Sequence, residues 1–229
     1  MTGHRAWLID LDGTLYRSRP VKLAMAVELL TGGPEVWRVI REFRKQHEAI
    51  REGGSDAADD QFMLQVERTA LSLSCSVEHV HRVVREWMFE RPGPWLKRFP
   101  RERLIKQIRE FRAHGGRTAL VSDYPALAKL QAMGVEDLFD IVVASGELDG
   151  PSELKPAPDG YLLAASRLKV SPEECLVIGD RQDADGMAAL YAGMEFCHVR
   201  DTGRLQTRPV LACGEKSVAS DDCRTGNFV

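Results

Sequence analysis

Hydrophobic positions change their rhythm twice along this chain. Ala6 to Ile9 is a short, wholly apolar run, the pattern of a strand buried on both faces. From there to about residue 95 the period turns helical: Val36, Ile40, Phe43, His47 and Ile50 recur at steps of three and four, with Arg and Glu between them. Pro34 suits the first turn of that helix and Gly53-Gly54 its end. The same spacing predicts a shorter helix over 21–30 and another, capped by Ser55-Asp56, that carries Phe62, Met63, Val66 and Leu73. A further helix capped by Ser76 carries Val77, Val80, Val84 and Trp87 and stops at Pro92-Gly93-Pro94. From Arg101 the rhythm alternates. Leu104, Ile105, Ile108 and Phe111 mark an amphipathic helix ending at Gly115-Gly116. Apolar runs at 118–122, 141–145, 175–179 and 196–199 then alternate with helical stretches near 126–133, 158–168 and 185–192.

Strands alternating with helices predict an α/β fold, a Rossmann-like parallel sheet with helices on both faces. The run at Ala6 to Ile9 belongs to that sheet by the same logic, so the helical stretch behind it reads as an insertion. The expected organisation is an α/β core of residues 1–17 and 96–200, an inserted α-helical cap at 18–95, and an irregular tail at 201–229. That tail is rich in Gly, Thr, Ser and Arg, lacks a period, and is assigned no role.

Composition narrows the partners. A net charge of -3 over 229 residues gives no global pull toward nucleic acid or membrane, and no apolar run is long enough to span a bilayer. Carboxylates at positions 10 and 12 argue against a secretory signal at the N-terminus. Five scattered cysteines without CxxC spacing predict neither a zinc site nor a disulfide framework, and the chain is expected to be cytoplasmic. The cations between Lys97 and Arg117 lack interleaved aromatics and read as a solvated helix face rather than a nucleic-acid patch. His47, His79 and His81 read as packing or surface groups. Trp37, Trp87 and Trp95 read as cap core or the seam between cap and core.

The chemistry gathers at strand ends. In open parallel sheets ligands sit beyond the carboxyl ends of the strands. Asp10 follows the first strand, Ser122 closes the second, and Gly179-Asp180 close a third. Lys155 lies in the loop Lys155-Pro156-Ala157-Pro158. Taken singly, each has a bland explanation: an Asp-Gly turn, a helix cap, a surface lysine. Buried together, carboxylates at strand ends need cations or strong donors to offset them. A carboxylate can attack phosphorus, splitting one displacement into two, and a hard dication such as Mg²⁺ then screens the two anions from each other. Gly13 permits a tight turn that brings backbone N–H groups toward a phosphate.

At these residues the chain resembles the haloacid dehalogenase-like (HAD) hydrolase superfamily. Four motifs stand in order: Asp10-Leu11-Asp12-Gly13-Thr14, a strand ending in Ser122, Lys155 before a Pro-rich helix start, and Gly179-Asp180-Arg181-Gln182-Asp183-Ala184-Asp185. The insertion resembles that superfamily's helical C1 cap and looks closest to the phosphoglycolate-phosphatase-like branch. The resemblance implies a Mg²⁺-dependent phosphatase that hydrolyses a small phosphorylated metabolite through an aspartyl-phosphate, with a phosphoglycolate-like substrate as one candidate. It implies Asp10 as nucleophile and metal ligand, and Asp12 as general acid/base and backbone-carbonyl ligand. It further implies Ser122, Lys155 and Gly13 as phosphate binders and Asp180 as metal ligand. Asp185 is preferred over Asp183 as support for the metal, from the register of Ala188-Ala189 behind it. Arg17 and Arg19 are candidates for touching an anionic substrate. Asp123 stands where the superfamily often has asparagine. Two alternatives share the scaffold: a phosphomutase acting on a sugar phosphate, and a non-catalytic HAD-fold interaction protein. Asp12 disfavours dehalogenase and phosphonatase chemistry.

Overall fold

In the computed structural model, which describes residues 3–53 and 60–204, the sheet is built outward from its first strand. β1 (Ala6–Ile9) is buried along its whole length and is followed by α1 (Ser18–Leu29), α2 (Gly33–Gly53), α3 (Gln61–Leu73), α4 (Val77–Val84) and α5 (Gly93–Arg98). Then come α6 (Glu102–Ala113), β2 (Arg117–Ser122), α7 (Leu127–Met133), β3 (Ile141–Ala144) and α8 (Asp159–Leu168). β4 (Cys175–Gly179), α9 (Met187–Tyr191) and β5 (Glu195–His198) complete the order. All pairings are parallel, in the order β3-β2-β1-β4-β5. Ile9 stands opposite Leu120 on one side and Ile178 on the other. That register brings the carboxyl ends of β1, β2 and β4 to one edge.

Side chains alternate across a strand, and the two faces of β1 show it. Trp7 and Ile9 join Leu104, Ile108 and Phe111 of α6 and Leu130 of α7 in one apolar cluster. Ala6 and Leu8 join Tyr161, Ala164 and Leu168 of α8 and Ala188 and Ala189 of α9 in another. The helices between β1 and β2 hold a third cluster of their own, with Val39, Ile40 and Phe43 of α2, Phe62 and Val66 of α3, and Val80 and Val84 of α4. Where the chain leaves the sheet and where it returns, the backbone runs side by side: Arg17 N donates to Phe99 O at 2.9 Å and Arg101 N to Leu15 O at 2.8 Å. Tyr16, Val21 and Leu96 fill the crossing.

Several local expectations shift. The Asp60 carboxylate caps α3, accepting from Phe62 N and Met63 N, whereas Ser55-Asp56 lie outside the described residues. Ser76 does cap α4, its hydroxyl accepting from His79 N at 3.2 Å. The helix that carries Val77 to Trp87 does stop before Pro92-Gly93-Pro94: its π-helical last turn, Arg85–Glu90, ends it, and a separate short helix, α5, begins at Gly93. Pro94 falls in its first turn, where a missing N–H costs nothing. The helix expected over 185–192 is regular only from Met187, because Gln182–Gly186 form a π-helical turn. Trp37 is 49% exposed beneath the Arg41 guanidinium and so does not belong to the core of the insertion. Trp87 is buried, and Trp95 Nε1 donates to Glu28 Oε1. The cations of 97–117 do not share one fate, since Arg112 and Arg117 pair with Asp140 while Arg98, Arg101 and Arg103 line a cleft. Among the described residues no helix is long and apolar enough to cross a membrane.

Trp7 stacks on Phe111 with ring centroids 4.2 Å apart and planes 6° from parallel, joining the central strand to α6. Trp7→Ala should therefore lower unfolding free energy by about 3–5 kcal/mol, read from the midpoint of a urea titration at unchanged slope.

Candidate active site

Asp10 continues the line of β1, and its N–H donates to Ile178 O at 2.9 Å, tying it to the end of β4. The chain then folds back tightly, with Thr14 N and Leu15 N both donating to Leu11 O at 3.2 and 3.1 Å. Thr14 Oγ1 donates to Asp10 Oδ2 at 2.9 Å. Gly13 carries the turn at φ +97°, a conformation that side chains disfavour, and a Cβ there would lie 2.1 Å from Asp180 Oδ2. Only a glycine lets this loop and the Asp180 carboxylate occupy adjoining space. From the returning chain, the Arg101 guanidinium donates to Gly13 O through Nε and Nη2 at 3.2 and 3.1 Å.

The buried Lys155 ammonium donates to Asp10 Oδ1 at 2.6 Å, Asp185 Oδ1 at 2.8 Å and Val121 O at 3.3 Å. Asp123 accepts Lys155 N at 3.1 Å, so the residue standing in place of asparagine anchors the lysine's own backbone. Asp185 is held from every side: Oδ1 accepts Tyr161 O–H at 2.9 Å, and Oδ2 accepts Arg181 N at 3.2 Å. Gly179 leaves room for it, since a Cβ would come within 2.4 Å of its carboxyl carbon. Asp183 instead faces solvent and pairs with Arg181 at 2.6 Å. The structure thus brings Asp185, and not Asp183, beside Asp10.

Carboxylate oxygens of Asp10, Asp180 and Asp185 all lie within 4.8 Å of one another. Burial first, and the Asp185 charge next, push Asp10 well above the usual carboxylate range despite Lys155. Asp180 is raised for the same two reasons. Three carboxylates facing one lysine leave an excess of negative charge among oxygen donors only. That donor set fits a hard dication such as Mg²⁺.

Ser122 is buried at the end of β2, where its Oγ accepts Tyr124 N at 3.2 Å. Arg17 and Arg19 are exposed and line a cleft beside Asp180 with Arg101, His198 and Arg200, outside the Asp10–Lys155 cluster. His47 is buried, with Nδ1 3.2 Å from Gln65 Oε1 and its ring stacked on Tyr124, as a packing group would be.

Sequence reasoning missed the partners of Asp12. Lys129 of α7 donates to both carboxylate oxygens at 2.7 and 2.8 Å, and Tyr16 O–H donates to Oδ1 at 2.6 Å. The lysine is buried, its Nζ 5.5 Å from the Phe89 ring centroid and 6.0 Å from that of Tyr124. Burial favours a protonated Asp12, but the Lys129 charge and the two hydrogen bonds outweigh it and hold the carboxyl below its usual range. The sequence offered one faint signal: Lys129 sits between Ala126 and Leu130, both core positions.

A family model for haloacid dehalogenase-like hydrolases matches residues 4–193. The chain is 28% identical to the Escherichia coli 5-amino-6-(5-phospho-D-ribitylamino)uracil phosphatase YigB over 85% of this chain and 83% of that protein. It is 29% identical to the glyceraldehyde 3-phosphate phosphatase of Methanopyrus kandleri over 86% of this chain and 84% of that one. Among solved structures, the magnesium-bound HAD-hydrolase YfnB of Bacillus subtilis superposes at a TM-score of 0.59 and 14% identity, covering 90% of this chain and 92% of its own. The L-2-haloacid dehalogenase of Xanthobacter autotrophicus follows at 0.58 and 22%, covering 84% and 76%. At those identities the two structures share the fold.

Because Asp12 is held ionised, its carboxylate contributes stability above the unfolded carboxyl value of about 3.9, and that contribution is lost as pH falls through the lower folded value. Lys129→Met strands a partly buried charge and should cost about 1–3 kcal/mol at neutral pH. The gap between variant and wild-type melting temperatures should narrow as the pH approaches about 4, where the stranded carboxyl takes up a proton.

Proposed function

We propose that this chain, which belongs to the haloacid dehalogenase-like hydrolase family and is a phosphoric monoester hydrolase, works by attack of Asp10 on the phosphorus of a small phosphomonoester. The observation that carries this reading is the setting of Asp10. It is a buried carboxylate touching a lysine ammonium at 2.6 Å and sharing a 4.8 Å cluster with two further acids at the sheet's carboxyl edge. Attack forms an aspartyl-phosphate and releases the alcohol, and water then cleaves the acyl phosphate. Lys155 holds a phosphoryl oxygen where transition-state charge spreads, and the Ser122 hydroxyl and the backbone N–H groups around Gly13 supply further donors. Asp12 protonates the leaving oxygen and afterwards takes the proton of the attacking water. In the state described, Lys129 keeps Asp12 ionised, which suits the second role. The first requires Lys129 to loosen its hold on the carboxyl when substrate is bound. Asp10, Asp180 and the backbone carbonyl of Asp12, supported by Asp185, would hold Mg²⁺, which when bound neutralises phosphoryl charge.

The helical insertion, residues 18–95, serves in this reading as a cap. Its α2 sends the Arg51 side chain, 7% exposed, to donate to Lys155 O at 2.8 Å, with Asp183 at 3.7 Å. Glu48 lies 3.9 Å from Arg181. These contacts close the insertion over the strand ends, where it excludes water and meets the leaving group. The two phosphatase relatives are named for small phosphorylated metabolites, which supports the same class here.

Turnover of p-nitrophenyl phosphate should need Mg²⁺, disappear with EDTA, and fall at least about a thousandfold in Asp10→Asn. Metal-dependent turnover at the wild-type rate in that variant would remove Asp10 from its role. Arg51→Ala should lower kcat/KM by about ten- to a hundredfold without a matching loss of melting temperature, because it frees the Lys155 loop rather than the core.

A further inference from the structure

Several cations near the carboxyl edge of the sheet are answered by acids: Lys155 by Asp10 and Asp185 at 2.6 and 2.8 Å, Lys129 by Asp12 at 2.7 Å, and Arg181 by Asp183 at 2.6 Å. One place differs. Arg17, Arg98, Arg101, Arg103 and Arg200 line a single cleft of about 750 Å³, formed where the chain crosses between insertion and sheet and by the segment after β5. Among the described residues Glu102 is its only acidic lining residue. Among the described residues none of the five guanidiniums forms an ion pair with a carboxylate. Two rest on carbonyls: Arg101 on Gly13 O, and Arg103 on Gly203 O at 3.4 Å. Arg98 lies 6.0 Å from the centroid of the Phe99 ring. Burial above all lowers Arg101 from its usual range; the Asp180 charge opposes that shift, and the Arg17 and Arg200 charges add to it. A second, smaller cleft shares Arg17, Arg101, Val199 and Arg200 with the first and reaches Asp180.

Like charges held close cost stability, and a concave surface of guanidiniums concentrates anions. Guanidinium forks match phosphate oxygens two at a time. We propose that this arginine cleft is a second anion site, separate from the Asp10 crevice, that takes a phosphate chain: inorganic triphosphate or the triphosphate tail of a nucleotide. Orthophosphate carries too little charge and too few oxygens to engage guanidiniums spread along a cleft of this size. Arg101 belongs to both places. A chain of phosphates that draws its guanidinium off Gly13 O releases the turn between Asp12 and Thr14, so occupancy of the cleft is felt at the catalytic loop.

The test is isothermal titration of the full-length protein, without metal, by inorganic triphosphate, ATP and orthophosphate in turn. One triphosphate per chain should bind, and Arg98→Ala/Arg103→Ala should weaken it by about tenfold or more. Asp10→Asn, which alters the other crevice, should leave the affinity within about twofold. ATP binding as tightly as triphosphate assigns recognition to the phosphates alone, and tighter binding adds a contact to the nucleoside; both support the site. If the double variant does not fold, by its thermal melt, Arg98→Ala alone carries the test with a smaller loss in the same direction. No triphosphate binding, binding unchanged by the arginine substitutions, or orthophosphate binding as tightly as triphosphate would each overturn the proposal.

Discussion

One ammonium group holds the centre of this molecule together. Lys155 lies between Asp10 and Asp185, deep enough that none of the three is much exposed to water, and without it two carboxylates would face each other across a low-dielectric gap. The surrounding structure answers to that requirement. Asp123 fixes the lysine's backbone, Tyr161 and Arg181 N complete the bonding of Asp185, and Thr14 satisfies the far oxygen of Asp10. Gly13 and Gly179 lack side chains where any Cβ would strike a carboxylate. The site is therefore rigid before substrate arrives, and its remaining excess of negative charge is what a dication would relieve.

A second buried pair, Lys129 with Asp12, is arranged differently. Its acid is partly exposed, and its lysine is bordered by the aromatic rings of Phe89 and Tyr124. Phe89 belongs to the apolar cluster of the insertion, against which Tyr124 packs. The environment of Asp12 thus depends on where the insertion sits, whereas that of Asp10 is set within the sheet. Arg51 reinforces the link by bonding the carbonyl of the lysine that touches Asp10.

Much of this was legible in the residues because the sheet imposes simple patterns. β1 and β4 appear as uninterrupted apolar runs, since both their faces are covered. Polar residues at the ends of such runs are conspicuous, so Asp10, Ser122 and Asp180 stood out, while Lys155 was read from its loop before Pro156. The preference for Asp185 over Asp183 agrees with the placement of the two side chains. Lys129 and Arg101 stayed hidden for a shared reason. Each reaches its partner through tertiary approach: Lys129 is 117 residues from Asp12 in sequence and Arg101 is 88 from Gly13. A lysine in a helix pattern and an arginine in a basic stretch look like surface residues until the fold is known. The α3 cap was misplaced because local turn chemistry permits several cap positions, and Asp60 takes the role.

The paired strands of backbone at Leu15–Arg101 and Arg17–Phe99 carry a consequence for ancestry. The two ends of an excursion of some eighty residues meet within hydrogen-bonding distance, so the sheet need not bridge a gap whether the excursion is long, short or replaced. Such a doorway lets selection graft a foreign helical unit onto an unchanged chemical engine, and diversify what is recognised without renegotiating how the bond is broken.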